Sequence, residues 1–194
     1  MELLLIRHGR PQRVHNTDGT PADPPLDEEG LKQAELMAQR FSPGTIDRLF
    51  VSPMQRAQET AAPLARQLGL TAELREGVAE YDQHSAVYIP VEELRKMDPK
   101  DWPIPERNEA EMATFKRVVV ENLEEIVAGN PGKRVAVVCH GGVINAWAAH
   151  TIELAKQFFF IPDYTSINKF MVSRNGERSL IALNDAVHIH GVQL

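Results

Sequence analysis

The chain has 194 residues, and its 27 acidic and 21 basic side chains give it a formal net charge of −6. Because binding a polyanion needs a surplus of cations on one face, this balance argues against a nucleic-acid partner. The length suits one domain, and a hydrophobic content of 43% is ordinary for a soluble globular protein. The single cysteine, Cys139, excludes an internal disulfide.

The apolar run near the N-terminus covers residues 3–6 and stops at Arg7. It is too short for a signal peptide or a membrane span, and nothing else in the sequence reaches membrane-spanning length. We therefore expect a cytoplasmic protein that has no membrane partner.

The first half of the chain alternates short apolar runs, typical of buried strands, with amphipathic segments, typical of helices. Strands are predicted at 3–6, 46–51 and 71–74. After a loop at 8–25, a helix begins behind the N-cap Asp27 and reaches Phe41. A second helix begins at Ser52-Pro53, and Gly69 ends it.

Residues 81–105 break this pattern, because they hold four prolines and three aromatic side chains around one short helical piece at 91–97. We interpret them as a lid inserted into a single domain that covers residues 1–194. The elements predicted beyond the lid are a helix at 106–128, a strand at 134–139 and a helix at 143–150. The segments 166–173 and 178–183 flank Asn175-Gly176, which is typical of a hairpin turn.

Strands that alternate with helices predict the α/β class, because parallel strands need helical crossovers. The expected architecture is a three-layer α/β/α sandwich. Its mainly parallel sheet would have about six strands, one of them an antiparallel strand contributed by the hairpin.

Two predicted strands end in the same way, with a histidine that is followed by glycine. The first ends in Arg7-His8-Gly9 and the second in Cys139-His140-Gly141-Gly142. In α/β sheets ligands bind at the carboxyl ends of the strands, and glycines let backbone N–H groups approach an anion closely. Cations are also frequent between Arg7 and His15, which suits either an anionic ligand or a solvated basic loop.

Several motifs in chain order resemble those of the histidine phosphatase superfamily, which includes the cofactor-dependent phosphoglycerate mutases. The opening motif is Leu5-Ile6-Arg7-His8-Gly9, and Val138-Cys139-His140-Gly141-Gly142 is similar to the second-histidine motif. Further similar segments are Leu26-Asp27-Glu28-Glu29-Gly30, Val51-Ser52-Pro53-Met54-Gln55-Arg56-Ala57 and Leu183-Asn184-Asp185-Ala186-Val187-His188-Ile189. The resemblance covers nearly the whole chain and implies a phosphoglycerate mutase-like fold.

The resemblance also implies roles for individual residues. His8 would attack a phosphate monoester and be transiently phosphorylated, while the guanidinium groups of Arg7 and Arg56 bind the phosphate oxygens. His140 would stabilise charge in the transition state, and Gly141 would add a backbone N–H. Glu80 is the candidate proton donor, with Asp82 in reserve. No metal or cofactor is expected.

The loop after Gly9 departs from the family pattern. Relatives often have an acidic or polar residue after Arg-His-Gly and an asparagine a few positions later, whereas this chain has Arg10, an extra Arg13, and Asn16 two places late. These side chains either bind a second acidic group of the substrate or are simply exposed.

Three functions remain open at this stage. The favoured one is a phosphatase acting on a small-molecule phosphate monoester, followed by a mutase and then by a non-catalytic phospholigand-binding protein. A cysteine phosphatase would need an arginine six residues after Cys139, and that position holds Asn145. His188 and His190 lack a third metal ligand nearby. The oligomeric state is open, with a homodimer among the options.

Overall fold

The computed structural model describes residues 1–94, 96–98 and 108–190. The strands are β1 (Glu2–Arg7), β2 (Val14–His15), β3 (Arg48–Val51), β4 (Ala72–Leu74), β5 (Val87–Tyr88), β6 (Arg134–Cys139), β7 (Ile167–Val172) and β8 (Arg178–Asp185). The helices are α1 (Glu28–Ala38), α2 (Gln55–Leu68), α3 (Val91–Leu94), α4 (Glu109–Gly129) and α5 (Gly141–Thr151), with a 3₁₀ turn at Glu76–Val78.

The main sheet has six strands in the order β4-β3-β6-β1-β7-β8. The strands β4, β3, β6 and β1 are mutually parallel, and β7 runs antiparallel to both β1 and β8. The predicted α/β class, with a mainly parallel sheet and one antiparallel strand, is confirmed.

The alternating side chains of β1 divide the core between the two faces of the sheet. Leu3 and Leu5 pack with Trp147 on the face that α4 and α5 cover. Leu4 and Ile6 pack with Met37 on the face that α1 and α2 cover. Because both faces are buried, the strand is apolar at successive positions, as expected for a parallel sheet between two helical layers. Within the described part of the chain, no helix is both long and apolar enough to cross a membrane.

The ends of several elements differ from the predicted ones. The second helix begins at Gln55 rather than at Ser52, because Met54 is an extended N-cap and its N–H is bonded to the Ser52 hydroxyl at 3.3 Å. The helix ends as predicted at Gly69, which adopts the left-handed conformation with φ 68°. The helical piece predicted at 91–97 covers Val91–Leu94.

A two-stranded sheet, β2–β5, joins the loop after His8 to the segment interpreted as a lid. It pairs Val14 with Tyr88 and His15 with Val87. The lid itself stays a prediction, because residues 95 and 99–105 lie outside the described ones, as do residues 106 and 107 of the helix predicted at 106–128.

The loop that carries His8 packs directly on the first turn of α1. A Cβ at Gly9 would lie 2.6 Å from the Gly30 carbonyl oxygen, and a Cβ at Gly30 would collide with the backbone of Arg10. The two glycines therefore allow a backbone contact that no larger residue permits.

We expect Gly30→Ala to destabilise the protein by roughly 1–3 kcal/mol, because its new methyl group has no space. Gly129→Ala is the matched control, since a Cβ at this helical glycine meets nothing within 4 Å. Urea unfolding of both variants measures the difference. Equal stabilities would show that the loop yields to the methyl group without cost.

Candidate active site

Pairing of β1 with β6 brings the two histidines together. The two strands are parallel, and Arg7 lies opposite Cys139 in the register. His8 directly follows β1 and His140 directly follows β6, so the two histidines are neighbours. Their ring centroids are 5.1 Å apart. Both side chains are buried.

The hydrogen bonds of His8 define which of its ring nitrogens can react. Its Nδ1 lies 2.7 Å from the Gly9 carbonyl oxygen, which can only accept, so Nδ1 carries the proton. The Nε2 atom then keeps its lone pair. Burial, followed by the charges of Arg56 and Arg7, holds the pKa of His8 well below its usual value. His8 is therefore a neutral imidazole with a free Nε2.

The two arginines are buried and stack on aromatic rings. The Arg7 guanidinium lies 4.1 Å from the centre of the Tyr164 ring, and that of Arg56 lies 4.7 Å from the Tyr88 ring. Among the described residues, the Nε of Arg7 and the Nε and Nη1 of Arg56 have no hydrogen-bond partner. Buried donors of this kind fit an anionic ligand that is not yet bound.

His140 is the N-cap of α5 and is completely buried. Its Nε2 shares a hydrogen bond of 2.7 Å with the Ser52 hydroxyl, while its Nδ1 has no partner among the described residues. Burial, and then the charges of Arg56, His8 and Arg7, lower the pKa of His140. Gly141 begins α5, so its backbone N–H belongs to a helix N-terminus, which favours anions.

Glu80 lies beside the same helix N-terminus. Its carboxyl oxygens accept hydrogen bonds from the N–H of Gly142 at 2.9 Å and of Tyr81 at 3.1 Å. A side chain on Gly142 would collide with this carboxyl group, which explains the second glycine of the motif. Burial and the nearby Asp82 raise the pKa of Glu80 to about 7, so the group can exchange a proton near neutral pH.

Asp82, the reserve proton donor, has a different environment. Its Oδ1 accepts a hydrogen bond from Arg56 Nη2 at 3.3 Å, and its side chain is 27% exposed. Asp23 approaches the same guanidinium, with 3.8 Å between its Oδ1 and Arg56 Nη1. The positive charge of Arg56 is thus partly balanced before any ligand binds.

These groups meet at a cavity of about 730 Å³. The predicted site residues that line it are Arg7, His8, Arg56, Glu80 and Gly141. The ring of His140 lies next to that of His8, although His140 is not among the described lining residues. The structure thus brings together five residues for which the sequence predicts roles in phosphoryl transfer.

A family model of the histidine phosphatase superfamily (branch 1) matches residues 3–186. The chain belongs to this superfamily. It is 32% identical to the Schizosaccharomyces pombe protein named probable phosphatase C1687.21, over 97% of this chain and 95% of that one. It is 27% identical to phosphoserine phosphatase 1 of Hydrogenobacter thermophilus, over 97% and 94% of the two chains.

The fold of this histidine phosphatase also occurs in a crystal structure of phosphoserine phosphatase from Entamoeba histolytica with 3-phosphoglyceric acid. The TM-score is 0.73 at 23% identity, over 97% of this chain and 98% of that one. The predicted superfamily, fold and enzyme class are confirmed.

The loop residues Arg10, Arg13 and Asn16 are absent from the described lining of the cavity. Arg10 pairs with Asp27 at 3.1 Å and also with Glu29, both at the start of α1. The exposed Arg13 pairs with Glu93 at 3.3 Å, and Asn16 donates to backbone carbonyls of its own loop. A substrate-binding role for these three residues stays a prediction, and their present partners do not lie in the site.

Three further residues of this histidine phosphatase site had no role predicted from the sequence. Thr60 Oγ1 accepts from the Gly9 N–H at 2.9 Å and donates to the Arg56 carbonyl at 2.7 Å. Its spacing of four residues from Arg56, one helical turn, was the available signal. Ser52 contacts His140, and Tyr164 contacts Arg7. Because the two residues of each pair are far apart in the chain, no sequence pattern predicts these contacts.

His188 and His190 do not face a common ligand. His188 is bonded to Thr165 at 2.9 Å and to Arg40 at 3.3 Å, and His190 lies 3.8 Å from Asp163. Over the residues that the structure describes, no three potential metal ligands lie close enough to hold an ion.

The raised pKa of Glu80 predicts how stability changes with pH. Between its usual value of 4.5 and about 7, the folded protein keeps a proton on Glu80 that the unfolded chain loses. The free energy of unfolding should therefore fall as the pH rises through this window, by up to about 3 kcal/mol. We expect Glu80→Gln to remove this contribution in urea unfolding at pH 5 and pH 8. An unchanged difference between the two pH values would contradict the assignment.

Proposed function

We propose that this histidine phosphatase hydrolyses small-molecule phosphate monoesters through a phosphohistidine intermediate on His8. The observation that carries the proposal is the free Nε2 of His8 beside two buried, incompletely paired guanidinium groups. A phosphate monoester repels nucleophiles until its negative charge is balanced, and these groups supply that balance.

In the first step the phosphate would bind between Arg7 and Arg56, with the Gly141 N–H as a third donor. The planar guanidinium forks match two phosphate oxygens each, which a lysine could not do. The doubly charged phosphate would compete with Asp82 for Arg56, whose present bond to that carboxyl is long at 3.3 Å. No metal or cofactor enters the proposed reaction.

His8 Nε2 would then attack the phosphorus atom as the bond to the ester oxygen breaks. The Glu80 carboxyl group would give its proton to the departing oxygen, so that a neutral alcohol leaves. The phosphorylated ring carries a positive charge, which the Gly9 carbonyl at Nδ1 stabilises. His140, adjacent to the ring, would donate to a phosphoryl oxygen.

The second step would use the same carboxylate in reverse. Glu80, now ionised, takes a proton from water, and the water oxygen attacks the phosphorus atom. The bond between phosphorus and Nε2 breaks, which releases inorganic phosphate and restores neutral His8. A pKa of about 7 suits a group that must first give and then take a proton.

Water is the favoured acceptor over a second alcohol. A phosphoglycerate mutase must bind the carboxylate of its acceptor as well as the phosphate. The arginines among the described cavity residues are Arg7 and Arg56, and both lie beside His8, where the phosphate would bind. Arg10 is already paired with two carboxylates of α1. The similarity to relatives named as phosphatases supports hydrolysis. Release of inorganic phosphate without an isomerised product distinguishes the two reactions.

We expect His8→Ala to reduce kcat/KM by at least about 10³-fold, because the nucleophile is lost. His15→Ala is the control, since this histidine of β2 is exposed and lies outside the described cavity lining. Phosphate release is measured in EDTA, which suppresses contaminating metal-dependent phosphatases. Acid-labile phosphoprotein trapped by rapid quenching should form in the wild type and be missing in His8→Ala. Full activity in that variant would exclude the proposed intermediate.

We expect Glu80→Gln to slow the hydrolysis of alkyl phosphates by about 10²–10⁴-fold, since their leaving oxygen needs a proton. Hydrolysis of p-nitrophenyl phosphate should lose far less, because its leaving group is stable as an anion. Glu76→Gln, at an exposed position of the cavity wall, is the control. Equal losses on both substrates would show that another group protonates the leaving oxygen, and Asp82→Asn would be tested next.

A further inference from the structure

The cavity continues well beyond the space that a phosphate group needs. Its lining includes Arg7 and Arg56 beside His8, and another part of its wall is formed largely by carbon. The apolar side chains of that wall include Ile89, Leu94, Met112, Phe115, Phe158 and Phe160. We call this the apolar wall.

Aromatic rings meet edge to face at the apolar wall. Tyr81 lies 5.8 Å from Phe115 and 5.7 Å from Phe158, with interplanar angles of 78° and 79°. All three rings are half-buried and line the cavity. Edge-to-face packing holds their positions, so the wall is a preformed surface for a hydrocarbon or aromatic group.

The charges of the described cavity lining disfavour a second anionic group on the substrate. The described lining includes Glu76 and Glu111, in addition to the buried Glu80 and to Asp82, which is bonded to Arg56. Its basic side chains are Arg7, Arg56 and the two histidines His8 and His84. A carboxylate or second phosphate of the substrate placed near Glu76 or Glu111 would therefore be repelled. Substrates with two anionic ends are disfavoured by this arrangement.

We infer that the substrate is the phosphate monoester of an alcohol with an apolar or aromatic carbon portion and no second anionic group. This inference rests on the proposed function and assigns the apolar wall to the alcohol. The phosphate would bind at Arg7 and Arg56, and the carbon chain would extend towards Phe115 and Phe158.

The first test uses n-alkyl phosphates from propyl to hexyl together with 3-phosphoglycerate. The leaving oxygens of the alkyl series have nearly equal basicity, so differences in kcat/KM report binding of the chain. Each buried methylene should raise kcat/KM about fourfold until the wall is covered. Hexyl phosphate should then exceed 3-phosphoglycerate by at least about tenfold.

The second test reverses one charge at the cavity. Glu111→Lys should raise kcat/KM for 3-phosphoglycerate by roughly two- to tenfold relative to hexyl phosphate, because an exposed charge is screened by solvent. Glu109→Lys is the matched control, since it changes net charge equally in the same first turn of α4 and lies outside the described cavity lining. Both residues are exposed and take no part in the proposed chemistry.

The outcomes separate this inference from the proposed function. Phosphate release that increases along the alkyl series supports both. Release that is independent of chain length, or that favours 3-phosphoglycerate, overturns the inference and leaves the phosphatase intact. Equal responses of Glu111→Lys and Glu109→Lys would also overturn the role of the acidic lining. Failure to release phosphate from any of these esters would overturn the proposed function itself.

Discussion

The active site depends on the parallel pairing of β1 and β6. The register that sets Arg7 opposite Cys139 also makes His8 and His140 the first residues beyond two neighbouring strands. The side chains of both strands alternate between two buried clusters, so a one-residue slip of register would exchange the side chains of these clusters and disrupt the packing of both. The packing energy of the core therefore fixes the distance between the two imidazoles.

Burial shifts the pKa values of two site residues in opposite directions. It lowers the pKa of His8, aided by the charges of Arg56 and Arg7, and it raises the pKa of Glu80, aided by Asp82. A neutral imidazole and a protonated carboxyl group can thus coexist near neutral pH. This pair of states is what a nucleophile and an acid need in the same reaction step. The low polarity of the surroundings also strengthens the attraction between the arginines and a bound phosphate.

Tertiary contacts around these strands hold the other residues of the site in place. Thr60 connects the backbone of Gly9 with that of Arg56, which joins the loop of His8 to the helix that carries Arg56. Gly142 allows Glu80 to approach the N-terminus of α5. The positions of His8, Arg56 and Glu80 are therefore coupled through the backbone.

The sequence by itself indicated the central strands, the order of the fold and the residues Arg7, His8 and His140 at two strand ends, whereas Arg56 came from the resemblance to the superfamily. Continuous apolar runs followed by histidine and glycine are local signals, which can be recognised without knowing which residues they contact in the folded protein. The strands β2 and β5 are too short to have a pattern, and Arg10 could not be assigned because its partners Asp27 and Glu29 lie in another element. Only the tertiary structure showed which nitrogen of His8 is free, that the pKa of Glu80 is raised, and that an apolar wall lines the cavity. Each of these depends on which groups from distant parts of the chain share a buried space.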